Sequence, residues 1–155
     1  MIHEKQFNKV DSLECVAFVT AGQDYCIDIS LVREIRGWAP PTQMPHSPDY
    51  VQGLFNLRGS VIPIIDLAKR LGLPGGDMSG RNVVIVVRIQ EQLWGIVVDA
   101  VSDILTVAHD AMQRTPDVAS VDGAMFVSGV IPYDGKMLRA LDLSVLLPVQ
   151  REMAA

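Results

Sequence analysis

The chain has 155 residues, 49% hydrophobic and 20% charged, with a formal net charge of −5. That balance excludes a disordered chain, and an acidic surface with dispersed Lys and Arg makes nucleic acid a poor partner. The length suits one full-sized domain or two small units sharing a core, because independent cores become marginal near about 60 residues.

The first ten residues scatter charge through Met1 to Val10 and offer no signal-peptide core, so a cytoplasmic protein is expected. The longest apolar runs, such as Val83 to Val87, fall far short of the roughly 20 residues a spanning helix needs, so direct membrane insertion is not expected. Residues 1–12 and 149–155 are expected to be flexible ends around one domain, 13–148, and no fused receiver is expected after Ala155.

Taken in order, Glu14 to Thr20 reads as a strand, and Ala21 to Asp24 as a tight turn into a second strand, Tyr25 to Ile29. Leu31 to Arg36 fits either a helical turn capped by Ser30 or an extended crossing, and Gly37 ends it. Pro40, Pro41, Pro45 and Pro48 forbid regular pairing, so 39–47 reads as a surface loop and Pro48 as the start of a short helix. Trp38 borders that loop and offers either an exposed anchor or, as is commoner for a large aromatic beside prolines, a side chain packed down on the body of the domain. Gly53–Asn56 and Val61–Ile65 form a hairpin in which Pro63, lacking an N–H, is expected at an edge or a bulge that could serve for docking. Leu67 to Gly72 is a short helix closed by glycine, and the segment from Pro74 to Gly80 reads as the linker between halves.

In the second half, Arg81–Ile89 and Leu93–Val98 form a hairpin across Gln90 to Gln92, its Val83–Val87 run apolar on both faces and therefore central. Asp99 to Leu105 repeats the earlier crossing, and Val107 to Asp122 reads as loop. Asp134-Gly135 signals a tight hairpin turn.

The two halves echo each other. Gly53, Gly59, Ile62, Ile65, Asp66 and Leu67 recur as Gly129, Gly135, Leu138, Leu141, Asp142 and Leu143, all 76 positions on. Tyr25, Ile27, Val32 and Ile35 recur as Trp94, Ile96, Val101 and Ile104, 69 positions on. Two related β-units follow, about 13–73 and 81–148.

Catalytic constellations do not emerge. His3, His46 and His109 lie far apart, and Gly75-Gly76 and Gly80 form neither a phosphate loop nor a dinucleotide fingerprint. Asp66 and Asp142 stand at equivalent helix starts and read as caps, while Cys15 and Cys26 read as buried, reduced thiols within strands. No metal, cofactor or enzymatic activity is expected. Arg58 is different: its counterpart in the second unit is Asp134, so the repeat itself does not demand an arginine, and Glu34 is its nearest plausible ionic partner.

Ile27-Asp28-Ile29 through Val32-Arg33-Glu34-Ile35-Arg36-Gly37, then Gly53, Asn56-Leu57-Arg58-Gly59 and Pro63-Ile64-Ile65-Asp66-Leu67 together resemble the CheW family. The likeness continues through Val83–Val86, Gly95–Asp99, Val101–Ile104 and the block from Gly129 to Leu147. The resemblance implies a mainly β fold of two intertwined SH3-like five-stranded barrels with a few short helices, packed through a third apolar interface. It also implies a non-catalytic adaptor that couples chemoreceptor cytoplasmic tips to the regulatory domain of the histidine kinase CheA, together with other CheW-fold proteins in membrane-associated array rings. A paralogous adaptor of another chemosensory system, such as twitching motility, shares these features; a β-barrel nucleic-acid binder lacks support because the aromatics are not interleaved with Lys or Arg. Carried over by position, Val32, Glu34, Gly53, Arg58, Gly59, Val83, Gly95 and Ile104 match sites of receptor or kinase coupling, the three glycines being equally suited to a backbone role.

Overall fold

The computed structural model describes residues 12–75, 78–114 and 124–148, so both expected flexible ends lie almost wholly outside the described residues. Among the described residues ten strands form two five-stranded sheets. The first contains β1 (Ser12–Thr20), β2 (Gln23–Asp28), β8 (Ala100–Ala108), β9 (Val127–Tyr133) and β10 (Lys136–Leu141), in the order β8-β1-β2-β10-β9. The second contains β3 (Val32–Gly37), β4 (Val51–Leu57), β5 (Ser60–Asp66), β6 (Val83–Ile89) and β7 (Gln92–Val98), in the order β3-β6-β7-β5-β4.

Each sheet therefore draws strands from both halves of the chain. The joints are the parallel pairings of β10 with β2 and of β5 with β7, while neighbouring hairpins pair antiparallel. All four hairpins turn on two residues whose first member is left-handed: Ala21, Arg58, Gln90 and Asp134, each at φ 51°. A right-handed strand twist favours this mirror-image turn, which explains the glycine that follows in three of the four.

Three apolar layers result. Cys15, Ala17, Cys26, Leu105, Ile131 and Leu138 fill the first barrel, and Leu57, Ile62, Ile64, Val84, Val86 and Val97 the second. Between them Val16, Phe18, Tyr25, Ile27, Ile65, Ile85, Val87, Trp94, Ile96, Leu141 and Leu146 form the largest cluster. Strand periodicity sorts these sets: on β6, Val84 and Val86 face the barrel interior, while Ile85 and Val87 face the partner barrel. Trp38 packs against the second barrel and donates from Nε1 to Gln52 Oε1 at 3.0 Å.

The outer strands are not left open. After β3 the chain returns so that Thr42 exchanges backbone hydrogen bonds of 2.9 and 2.7 Å with Leu54 on β4, and after β8 Gln113 does the same with Val130 on β9, both bonds being 2.8 Å. Pairing across the gap satisfies edge groups that would otherwise recruit another chain. Each bridge follows a glycine of the repeat. A Cβ on Gly53, at φ 149°, would sit against the Thr42 carbonyl oxygen, and one on Gly129 would come within 2.7 Å of the Gln113 oxygen.

Several expectations need correction. Ile29–Leu31 is a single 3-10 turn capped by Asp28 rather than Ser30, since the Asp28 carboxylate accepts from the Ser30 N–H, and the chain beyond it is extended. Pro48 starts no helix; its carbonyl accepts from Val51 N at 3.0 Å, which leads directly into β4. Pro63 lies on an interior strand. It faces Leu54 on β4, and the parallel pairing with β7 is registered from Ile64 onward, so the missing N–H falls just outside that ladder and creates no docking edge. β8 continues to Ala108, with a 3-10 turn at His109–Ala111, where loop was expected, because Leu105 and Val107 alternate inward. Residues 115–123 of that segment lie outside the described residues.

Short helices α1 (Leu67–Arg70) and α2 (Leu143–Leu146) close the two repeats, and their starts are capped by Asp66 and Asp142 accepting from Lys69 N and Ser144 N. Between them Arg70 marks the centre of the pseudo-symmetry. Its guanidinium stacks on Tyr50 and Phe126, equivalent positions of the two repeats, at 4.5 and 4.9 Å, and its Nε donates to Leu146 O at 2.6 Å.

Gly95 is a packing glycine, since a Cβ there would come within 2.5 Å of Ile64 Cδ1 and 3.0 Å of Val84 Cγ1. Gly95→Ala should lower stability by about 1–3 kcal/mol, the usual cost of overpacking a tight core. Urea unfolding checks it: a lower midpoint at unchanged slope is expected, and an unaltered midpoint contradicts the packing account.

Candidate functional site

Seven of the eight positions carried over from the family resemblance lie on the second barrel. Val32 and Glu34 are on β3, Gly53 on β4, Arg58 and Gly59 on the β4–β5 turn, Val83 on β6 and Gly95 on β7; Ile104 is on β8 of the first barrel. They do not converge on one spot.

Glu34 and Arg58 do meet. Arg58 Nη2 donates to Glu34 Oε1 at 2.6 Å, the two side chains being 74% and 28% exposed for Arg and Glu. β3 and β4 are the outer strands of their sheet, so this pair spans the mouth where the barrel curls round to itself. The turn is held for it by Asn56, whose Oδ1 accepts from Gly59 N at 2.9 Å, and Gly59 takes φ 88° with open space around it. Gly59 thus serves the turn, whereas Gly53 and Gly95 serve close packing.

Around the pair lies a cavity of about 510 Å³ with Leu57, Val86 and Leu93 among its lining and Arg33, Arg88 and Glu91 beside Glu34 and Arg58. A mixed lining, with apolar patches set among charged groups, can seat an apolar anchor and fix its register. The hydrogen bond from Arg58 holds the Glu34 carboxyl below the ordinary glutamate range, helped by the charges of Arg58 and Arg36.

Val32 and Val83 are half-buried and pack against the inter-barrel core, so they shape this surface from beneath. Ile104 is 57% exposed, and its counterpart on the second barrel, Ile35, is 41% exposed. Sequence reasoning passed over Ile35 as a surface residue, although the 69-residue repeat that pairs it with Ile104 was the available signal.

Other chemistry is sparse. His46 and His109 are exposed and far apart in the chain, Cys15 and Cys26 are free and buried, and among the described residues no group of three or more His, Cys, Asp or Glu could hold a metal. Among the described residues no helix is long and apolar enough to cross a membrane.

The pattern of the CheW-like domain matches residues 14–151. The chain belongs to the CheW family. Within that family it is 44% identical over 151 residues to a probable chemotaxis protein CheW of Rhizobium etli, covering 97% of both chains. It is also 44% identical over 142 residues to the chemotaxis protein CheW of Rhizobium meliloti, covering 92% of each. Among solved structures, the scaffolding protein TtCheW of Thermoanaerobacter tengcongensis superposes with a TM-score of 0.81 at 33% identity over 89% of both chains. The two intertwined barrels are thus the CheW fold, and the chain is a coupling scaffold of chemotaxis signalling.

Removing the guanidinium should release Glu34. In Arg58→Ala its carboxyl should titrate back toward the ordinary glutamate range, readable by NMR of the side-chain carboxyl. Because the folded value is depressed, the pair is intact above that range and is lost as pH falls through the lowered value. An unchanged Glu34 titration in the variant contradicts the assignment of Arg58 as the cause.

Proposed function

We propose that this chain is a non-catalytic adaptor joining the cytoplasmic tips of chemoreceptors to the regulatory domain of a CheA-type histidine kinase. Residues 13–148 act as one domain, working in the cytoplasm and drawn to receptor arrays through these partners rather than by inserting in the membrane.

The observation that carries this reading is the distribution of its surfaces. An adaptor must hold two partners at once, and the exposed features are divided between two barrels: the Glu34–Arg58 pair with its partly apolar cavity on one, Ile104 on the other. A helical receptor tip needs an apolar floor and a few polar rim groups. A barrel-shaped kinase domain suits an exposed apolar strand face such as that of β8. Val32, Glu34, Gly53, Arg58, Gly59, Val83, Gly95 and Ile104 form the coupling surface in two ways: Glu34, Arg58 and Ile104 by contact, and the glycines and valines by shaping the backbone and core beneath.

Titration against a receptor tip fragment and a CheA regulatory domain tests both parts. Arg58→Ala and Ile104→Asp should each weaken one partner by about tenfold, a loss of about 1.4 kcal/mol, while sparing the other. Binding of both partners unchanged by either substitution contradicts the proposal.

A further inference from the structure

A second cavity, of about 210 Å³, lies away from the Glu34–Arg58 pair, with Thr20, Ala21, Asp66, Asn82, Val97 and Asp99 in its lining. It opens where the first barrel meets the second: Thr20 ends β1, Asp66 ends β5 and Asp99 follows β7. Asp66 is 5% exposed and Thr20 only 1%, and the Thr20 hydroxyl has no hydrogen-bond partner. An orphaned hydroxyl at full burial is costly, and native structures seldom tolerate one without a reason.

The chain supplies its own control. At the repeat offsets, Thr20 corresponds to Ile89, Ala21 to Gln90 and Ala68 to Ser144, and Ile89, Gln90 and Ser144 line a cavity of only about 40 Å³. There the Ser144 hydroxyl donates to the Asp142 carboxylate and an isoleucine, Ile89, forms part of the wall. Around the larger cavity Ala68 lacks that hydroxyl, Thr20 stands in place of the isoleucine, and Asp99, at the start of the second crossing, stands where the first crossing has Ser30. The fold therefore nearly closes the equivalent position, and the larger cavity departs from that solution in three residues at once.

We propose that this cavity seats a hydrated hard divalent cation, Mg²⁺ or Ca²⁺, between Asp66, Asp99 and the Thr20 hydroxyl. The donors are all oxygen, the preference of such ions, and two carboxylates with room for several waters suit a cation that keeps part of its hydration shell. One oxygen of each carboxylate is already engaged, Asp66 Oδ1 by Lys69 N at 3.3 Å and Asp99 Oδ2 by Ala21 N at 3.0 Å, which fixes their orientation and leaves acceptor capacity free. Asn82 is held in place, its Oδ1 accepting from Ser79 N and its Nδ2 donating to Val98 O, and forms part of the wall. Asp66 and Asp99 line the same cavity, so a positive ion between them relieves a repulsion of like charges. A bound cation ties the end of β5 in one sheet to the end of β1 in the other.

The test is an NMR titration of the full chain with MgCl₂ and, separately, CaCl₂, at ionic strength held constant with NaCl. Saturable shifts confined to the amides of Thr20, Ala21, Asp66 and Asp99 are expected in the roughly millimolar range of weak oxygen sites. Asp99→Asn retains an oxygen for the Ala21 amide and should weaken binding about tenfold or more, as loss of even an indirect partner of a metal ligand does. Thr20→Ile, copying Ile89, should also weaken it while leaving the rest of the spectrum unchanged. The proposal is overturned if neither cation gives saturable shifts, if NaCl alone reproduces them, or if both variants bind as the original chain does. Site-localised broadening by Mn²⁺ in the unmodified chain decides the matter should a variant fail to fold.

Discussion

The apolar layer that Phe18, Ile27, Ile85, Trp94 and Leu146 fill between the sheets depends on both halves of the chain being present. Neither half can close a barrel by itself, because β2 needs β10 beside it and β5 needs β7. Parallel pairs require long connections, and here those connections are the exchanged strands themselves. The same side chains that make each sheet one-sided thus oblige the sheets to share a core, as expected for units near the lower size limit of an independent fold.

That shared layer governs the surfaces. With the barrels held by a common core and pinned by Arg70 between Tyr50 and Phe126, the Glu34–Arg58 mouth and the Ile104 face keep a fixed relation to each other. A scaffold gains from this rigidity, since partners that bind pre-organised surfaces lose less freedom on binding. Backbone requirements and recognition are also kept apart. Gly53 and Gly95 admit close neighbours and Gly59 completes a turn, while Arg58 occupies a left-handed turn position that its repeat counterpart Asp134 also occupies, so its side chain is free to differ.

Much of this was legible in the sequence because repeats and hairpin turns leave strong local signals. The equivalences of Gly53 with Gly129 and Asp66 with Asp142 marked the two units, the apolar run Val83–Val87 marked a strand buried on both faces, and Arg58 with Glu34 was paired before any geometry. What escaped depended on contacts with no local signature. The bridges from Thr42 to Leu54 and Gln113 to Val130 join single residues from loops, so nothing periodic announces them. Pro63 could be judged only as a missing N–H, and whether that matters depends on where the partner strand's ladder begins. Asp28 took the cap assigned to Ser30 because both side chains can cap and only the 3-10 geometry chooses.

The most direct measurement of the shared-core account is native-state hydrogen exchange compared between the two parallel joints, Arg139 and Ala140 on β10 against Ile65 and Ile96 on β5 and β7. If the barrels form one cooperative unit, these amides exchange only through global opening and report the same free energy, with the same denaturant dependence. Two distinct opening energies, one for each sheet, would mean that the barrels unfold independently and would contradict the account.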